Sequence, residues 1–170
     1  MLVAHPGRPW IGKNGKAVPE HVKKHYRELS MEQLFSEVLS HYQKNVIPIV
    51  KNIVESRISD LSQECIVIEG SALYPNFIID LISNTSAIVA FWLKAEELLI
   101  QRRIKNESNF DNLDKGEKYL IYKFIERTLI YNRRMTEEIE RLGLLSVYVE
   151  SKLTSEELLA RCMKIIESNR

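Results

Sequence analysis

The sequence has almost no excess of charge of either sign and no long apolar run. Its 24 Lys and Arg residues against 23 Asp and Glu residues leave a formal net charge of +1, which argues against a dedicated nucleic-acid binder whose affinity depends on a basic face. The longest uninterrupted apolar run, residues 87–93, is far shorter than the roughly 20 residues that a membrane-spanning helix needs. The opening MLVAHPGRPW lacks the apolar core of a signal peptide. We therefore expect a cytoplasmic protein that binds neither nucleic acid nor membrane.

Cysteine is also scarce, which limits the roles of disulfides and metals. Cys65 lies in an apolar run and Cys162 in a predicted helix, and two cysteines do not make a disulfide framework in a domain of this size. We expect both to be buried thiols. The sequence has neither a Cys/His cluster nor an HExxH motif, so it predicts no metal site. With 170 residues, 45% of them hydrophobic, it predicts one domain over residues 1–170.

Helical patterns occupy most of the chain. Ser30 and Gln33 form a capping-box signature ahead of apolar residues at helical spacing. Pro48 sits inside the continuing pattern and predicts a kink or two abutting helices that end near Ile58. Gly143 is a natural stop for a long helix. The further predicted helices cover residues 75–82, 95–104 and 115–142, and a last one opens at Thr154.

Three short apolar runs without polar alternation predict strands that are buried on both faces. They are residues 65–68, 88–93 and 145–149. Because buried strands alternate with helices, we expect an α/β fold in which helices cover both faces of a parallel sheet of about three strands.

Ligands of open parallel sheets bind beyond the carboxyl ends of the strands. The first run is followed there by Glu69, Gly70 and Ser71. A carboxylate in that position can order a magnesium-bound water or polarise a hydroxyl, and glycine lets a ligand approach the backbone. The alternative is that Glu69 caps the turn and that Gly70 merely allows it.

Three arginines are candidates for binding phosphate. Arg102 and Arg103 end a predicted helix after the second run, and paired arginines can contact phosphate oxygens in a bidentate manner, although they can equally form a solvated helix face. Arg127 lies on the long helix among apolar neighbours, where a charge needs a partner or a ligand.

Some segments resemble bacterial P-loop kinase-like ATPases of the 2-phosphoglycerate kinase type. They are HPGRPW at residues 5–10, VPEHV at 18–22 and VIEGSAL at 67–73, and the resemblance runs from His5 to about Val149. It implies ATP and Mg²⁺ as cofactors, phosphorylation of a small anionic metabolite, and a P-loop NTPase-like sheet. It also implies roles for individual residues. These are catalytic roles for Glu69 and Ser71, acceptor binding by His5, Arg8 and Trp10, and phosphate contacts from Arg102, Arg103 and Arg127.

The family's phosphate-binding loop, GxxxxGK[ST], does not occur at any position of this sequence. Phosphoryl transfer depends on that loop for positioning and charge stabilisation. We therefore expect an N-terminally truncated family member that is not competent as a kinase alone. The alternatives are a non-catalytic interaction or regulatory module, which binds a protein or an anionic metabolite through its arginines, and an α/β protein without a ligand site.

The truncation would remove a strand between the first and second runs. Unpaired backbone groups inside a sheet are costly. The two runs are then expected to pair with one another, to receive a strand from another chain, or to leave the fold marginal. Self-association through the exposed sheet edge is one form of the second outcome.

Overall fold

The computed structural model describes residues 19–60, 62 and 64–169. Over these residues, 68% are helical. The helices, in chain order, are α1 (Glu20–Glu28), α2 (Met31–His41), α3 (Ile47–Ser59), α4 (Pro75–Ser83), α5 (Glu97–Glu107), α6 (Lys115–Arg141) and α7 (Ser155–Ser168). The strands are β1 (Trp92–Ala95) and β2 (Ser146–Val149).

Two capping boxes begin helices where the sequence predicts them. The Ser30 amide donates to Oε1 of Gln33 at 2.8 Å, and the Gln33 amide donates to Oγ of Ser30 at 3.2 Å. Thr154 and Glu157 make the same reciprocal pair at the start of α7. Each box satisfies backbone amides that have no partner inside the first helical turn. The predicted starts of α2 and α7 are confirmed.

The predicted interruption at Pro48 is also confirmed. A π-helical turn, Tyr42–Val46, separates α2 from α3, and Pro48 lies in the first turn of α3. Proline cannot donate an amide to the preceding helical turn, and the change to a π-helical turn occurs just before it.

Helix α6 ends at Arg141, and Gly143 provides the predicted stop just beyond it. Gly143 adopts φ 64°, in the left-handed region. Its amide donates to the Glu140 carbonyl at 3.3 Å, and the Leu144 amide donates to the Ile139 carbonyl at 2.9 Å. This pair of bonds is a Schellman motif, which satisfies carbonyls that the helix itself leaves unpaired.

The predicted sheet of about three strands is wrong. Among the described residues the sheet has two strands, β1 and β2, which run parallel. The Trp92 amide donates to the Leu145 carbonyl at 3.0 Å, and the Glu96 amide donates to the Val149 carbonyl at 3.1 Å. Residues 88–91 precede β1 without pairing in the described part of the chain, because β2 offers partners no earlier than Leu145. The described residues therefore do not form a P-loop NTPase-like sheet.

The first predicted strand, residues 65–68, has no neighbouring strand within the described ranges. A strand is defined by hydrogen bonds to a neighbour, and an apolar pattern does not supply that neighbour. The run is also exposed, with Val67 92% accessible. Cys65 is exposed as well and Cys162 is only partly buried, so the prediction of two buried thiols is wrong.

The described chain divides into two compact units. Unit 1 contains residues 19–36, 94–134 and 148–152. Its core is a cluster from α1, α2, α5 and α6 in which Ile121, Leu120 and Ile125 are at most 2% exposed. The Lys123 ammonium, in a side chain that is also buried, donates to the Leu29 carbonyl just beyond α1. Unit 1 thus has an apolar centre and an internal cap for its first helix.

Unit 2 contains residues 37–93, 135–147 and 153–169. Its buried side chains include Ile78, Trp92 and Ile139. The Trp92 indole donates to the Leu73 carbonyl at 2.8 Å, which fixes the segment ahead of α4. The end of α6 is tied to α4 by a bond of 2.9 Å from Arg141 to Asn76. No side chain of α7 is fully buried, so this helix lies at the edge of the core of unit 2.

Among the described helices, none combines the length and the apolar character that crossing a bilayer requires.

Candidate functional site

The predicted acceptor-binding residues His5, Arg8 and Trp10 lie outside the described residues. The remaining predicted site residues fall into different units. Glu69 and Ser71 belong to unit 2, and the three arginines belong to unit 1.

Glu69 and Ser71 flank a tight turn before α4. Gly70 has φ 150°, a conformation that other residues rarely adopt, and its carbonyl accepts from the Leu73 amide at 3.1 Å. The Ser71 hydroxyl lies 2.7 Å from the hydroxyl of Tyr42, which is in the π-helical turn. Glu69 is exposed to solvent. The hydroxyl thus ties this turn to the junction of α2 and α3, while the carboxylate faces water.

The three arginines differ from one another in their surroundings. Arg102 and Arg103 are exposed on α5. Arg127 is 9% exposed, and its guanidinium carbon lies 4.7 Å from the centre of the Phe124 ring, one helical turn earlier. This cation–π stacking explains how a charged side chain is accommodated on the apolar face of α6. Arg127 is therefore part of the packing of unit 1.

The carboxyl ends of the two observed strands bring together a different pair, Glu96 and Ser151. Glu96 directly follows β1, and Ser151 lies two residues beyond β2. The Ser151 hydroxyl and the Ser151 amide, the latter at 3.1 Å, both donate to Oε2 of Glu96. Both bonds lower the pKa of Glu96, and the bond from the hydroxyl has the larger effect. The charge of Arg102 lowers this pKa by a smaller amount. The carboxylate is held ionised at this edge of the sheet.

Side chains of α6 complete the same edge. The Asn132 amide group donates to the Ala95 carbonyl at 3.0 Å, and its oxygen accepts from the Ala95 amide at 3.4 Å. Arg133 pairs with Glu97 at 2.8 Å, with both side chains about half exposed. These contacts fix the end of β1 and the start of α5. Because these polar groups bond to one another, they are not available to bind a ligand.

The sequence prediction missed Glu96 because it ended the second strand at Leu93, two residues before the observed end of β1. Ser151 follows the third predicted strand, which ends at Val149 as β2 does, so the rule that ligand-edge residues follow the strands could have found it from the sequence.

An open groove of about 470 Å³ lies between α3 and α4 in unit 2. Lys51 and Glu55 line it from α3, and Asn76 and Asp80 line it from α4. Two carboxylates against one ammonium disfavour an anionic ligand there. In the described part of the chain, no three His, Cys, Asp or Glu side chains gather as metal ligands do.

The most unusual surface of unit 2 is the run of residues 65–68, Cys-Ile-Val-Ile, which we call the exposed run. Val67 is 92% and Ile66 39% exposed. The carboxylates of Glu64 and Glu69, at either end of it, are exposed too. Residues of this type are ordinarily buried, so the exposed run is the candidate functional surface of the described chain.

Comparison with known protein families, with curated proteins and with solved structures finds no match. The resemblance to P-loop kinase-like ATPases stays a prediction.

Proposed function

We propose that this chain is a non-catalytic interaction module that binds a protein partner through the exposed run. The observation that carries the proposal is the 92% exposure of Val67 within an unbroken apolar sequence. Burying a valine side chain is worth roughly 1.5–3 kcal/mol. Within the described fold, that free energy is not used for folding, so it is available for association.

The residues next to Val67 also support the proposed binding of a protein partner. Ile66 is also exposed, and the turn that follows the run is fixed by the contact between Ser71 and Tyr42. An apolar segment anchored beside a fixed turn loses little freedom on binding, which favours association. Isolated exposed apolar residues are common on protein surfaces, but contiguous ones mark interaction sites.

The predicted kinase role is not the function that we propose. It depends on a phosphate-binding loop that is not in this sequence and on a sheet that the described residues do not form. Calorimetric titration of the chain with ATP and Mg²⁺ checks it directly. We expect no heat of binding up to about 100 μM nucleotide, and micromolar binding would restore the kinase role. Binding of a small anionic metabolite by the arginines and self-association of the chain stay predictions.

Site-specific photo-crosslinking tests the proposed function. A photoreactive benzoylphenylalanine replaces Val67 in one variant and Leu98 in a control, since Leu98 is 68% exposed but lies on α5 in unit 1. Both variants are irradiated in the cells from which the chain derives. We expect an adduct of one defined mass from position 67 and none of that mass from position 98.

The variants V67D and L98D provide the second half of this test. Because both side chains are exposed, neither change should alter stability by more than about 0.5 kcal/mol. V67D should abolish co-purification of the crosslinked partner, whereas L98D should retain it. Identical adducts at positions 67 and 98, or full retention of the partner by V67D, would refute the proposed function.

A further inference from the structure

We propose that the partner binds by β-strand addition: it supplies an extended apolar strand, bounded by basic side chains, that hydrogen-bonds to the backbone of residues 65–69. This inference rests on the proposed function and specifies its mode of binding and the chemistry of the partner.

The backbone of this segment has no regular secondary structure and no partner strand among the described residues. Within the described ranges, residues 65–69 make no backbone hydrogen bond. Backbone amides and carbonyls are obligatory hydrogen-bonding groups, and an exposed row of them is a template for another strand. Main-chain bonds then provide affinity, and alternate side chains provide specificity.

Both ends of the segment are fixed in place. Arg57, near the end of α3, donates to the Glu64 carbonyl at 2.9 Å. At the other end, the Gly70 carbonyl accepts from Leu73, and Ser71 contacts Tyr42. Because these anchors belong to unit 2, the segment is presented to a partner in an already ordered form, which lowers the entropic cost of pairing.

The side chains of the segment fit the inside of a sheet. Cys65, Ile66, Val67 and Ile68 are apolar without polar alternation, the pattern of a strand with both faces covered. Isoleucine and valine favour the strand conformation because their branched side chains pack well on a pleated surface. A partner strand of similar apolar residues matches both the backbone and these side chains.

The negative charges at the two ends of the segment determine which kind of partner strand can pair with it. Glu64 and Glu69 are both exposed. If a second copy of the segment paired antiparallel about its centre, Glu64 of one copy would lie opposite Glu69 of the other, and a parallel in-register pair would align identical carboxylates. Like charges directly opposite one another destabilise a pair of strands. A strand from a different protein with Lys or Arg at both ends places opposite charges there instead.

The test uses the full chain and three fluorescein-labelled peptides that share one core of β-branched residues, Val-Thr-Val-Val. The first peptide is Lys-Val-Thr-Val-Val-Lys, acetylated and amidated. The second has Glu in place of both Lys residues. The third keeps Lys but carries N-methyl groups on alternate core amides, which removes donors from one edge of the strand. Fluorescence anisotropy measures the affinity of each.

We expect the first peptide to bind, and the second and third to bind at least about tenfold more weakly. The double variant E64Q/E69Q should bring the affinities of the first two peptides to within about twofold of each other, while the N-methylated peptide stays weak. Equal binding of all three peptides, or binding by none, would overturn strand addition.

The outcomes separate this inference from the proposed function. An adduct specific to position 67 together with no peptide discrimination would retain protein binding and reject strand addition. No specific adduct and no peptide binding would reject both. An adduct with twice the mass of the chain would identify a second copy as the occupant and overturn the basic-flanked strand.

Discussion

Ser151 donates two hydrogen bonds to one oxygen of Glu96, across the carboxyl ends of the two strands. The contact joins residues that are 55 positions apart in the sequence. It links the residue that follows β1 to the segment that follows β2. It also lowers the pKa of Glu96, so its strength can be followed by titration.

The variant S151A should raise the pKa of Glu96 towards its ordinary value, because it removes the hydroxyl donor that contributes most to the shift. A lowered folded-state pKa stabilises the protein above the unfolded-state pKa, and this contribution is lost as the pH falls through the folded-state value. The wild type should therefore be more stable than S151A at neutral pH. This difference in the free energy of unfolding should become smaller as the pH falls below the ordinary pKa of a glutamate side chain.

Carboxyl ¹³C NMR titration of Glu96 and urea unfolding at several pH values check this prediction. S168A is the control, since Ser168 is exposed at the end of α7 and its difference from the wild type should not vary with pH. An unchanged titration of Glu96 in S151A would contradict the role given to the hydroxyl.

The variant K123M should destabilise unit 1. Lys123 is 5% exposed, and its ammonium donates to the Leu29 carbonyl and, at 3.5 Å, to the Arg27 carbonyl. Methionine keeps the packing volume but leaves these carbonyls without the charged donor, at an expected cost of about 2 kcal/mol in the free energy of unfolding. Hydrogen exchange at the end of α1 should also quicken.

Urea unfolding of K123M beside K152M measures the effect. Lys152 is exposed, so its replacement should change stability by less than about 0.5 kcal/mol. Equal stability of the two variants would show that the buried ammonium does not hold the end of α1.

The variant S30A should weaken the start of α2. It removes the hydroxyl that accepts from the Gln33 amide, and loss of an N-cap costs about 1 kcal/mol. Ser36, on an exposed position of the same helix, provides the control S36A, which should be neutral or slightly stabilising because alanine is the better helix former. Thermal unfolding of both variants is the measurement, and a loss in S36A as large as that in S30A would assign the effect to something other than the cap.

The variant G143A should cost about 1–2 kcal/mol, because an L-residue with a side chain is strained in the left-handed region. A Cβ at this position would meet no other atom within 4 Å, so the expected cost is purely conformational. G143N should recover part of it, since asparagine tolerates this conformation. If G143A and G143N unfold at the same urea concentration, backbone strain is not what Gly143 relieves.

Local sequence signals predicted the helices well. Ser30 and Gln33 form the capping box that the sequence indicates, the last helix opens after Thr154 as predicted, and Gly143 follows the end of α6. Each of these signals acts over a few residues and needs no knowledge of the rest of the fold.

The sheet and the strand edge could not be predicted in the same way. Whether residues 65–68 form a strand depends on a neighbour far away in sequence, and the apolar pattern carries no information on that neighbour. The end of β1 moved from Leu93 to Ala95 because its pairing with β2 sets the register. That shift of two residues put Glu96, rather than Lys94, directly after the strand.

The order in which the chain contributes to its two units constrains how the protein can be made. Unit 1 combines residues 19–36 with residues 94–134 and 148–152, and unit 2 takes α7 from the residues that follow. On the ribosome, α1 and the first part of α2 emerge before α6 and β2, which complete the described part of unit 1. The apolar faces of these two helices therefore stay uncovered until about residue 152 has been synthesised, an interval in which chaperones would have access to them.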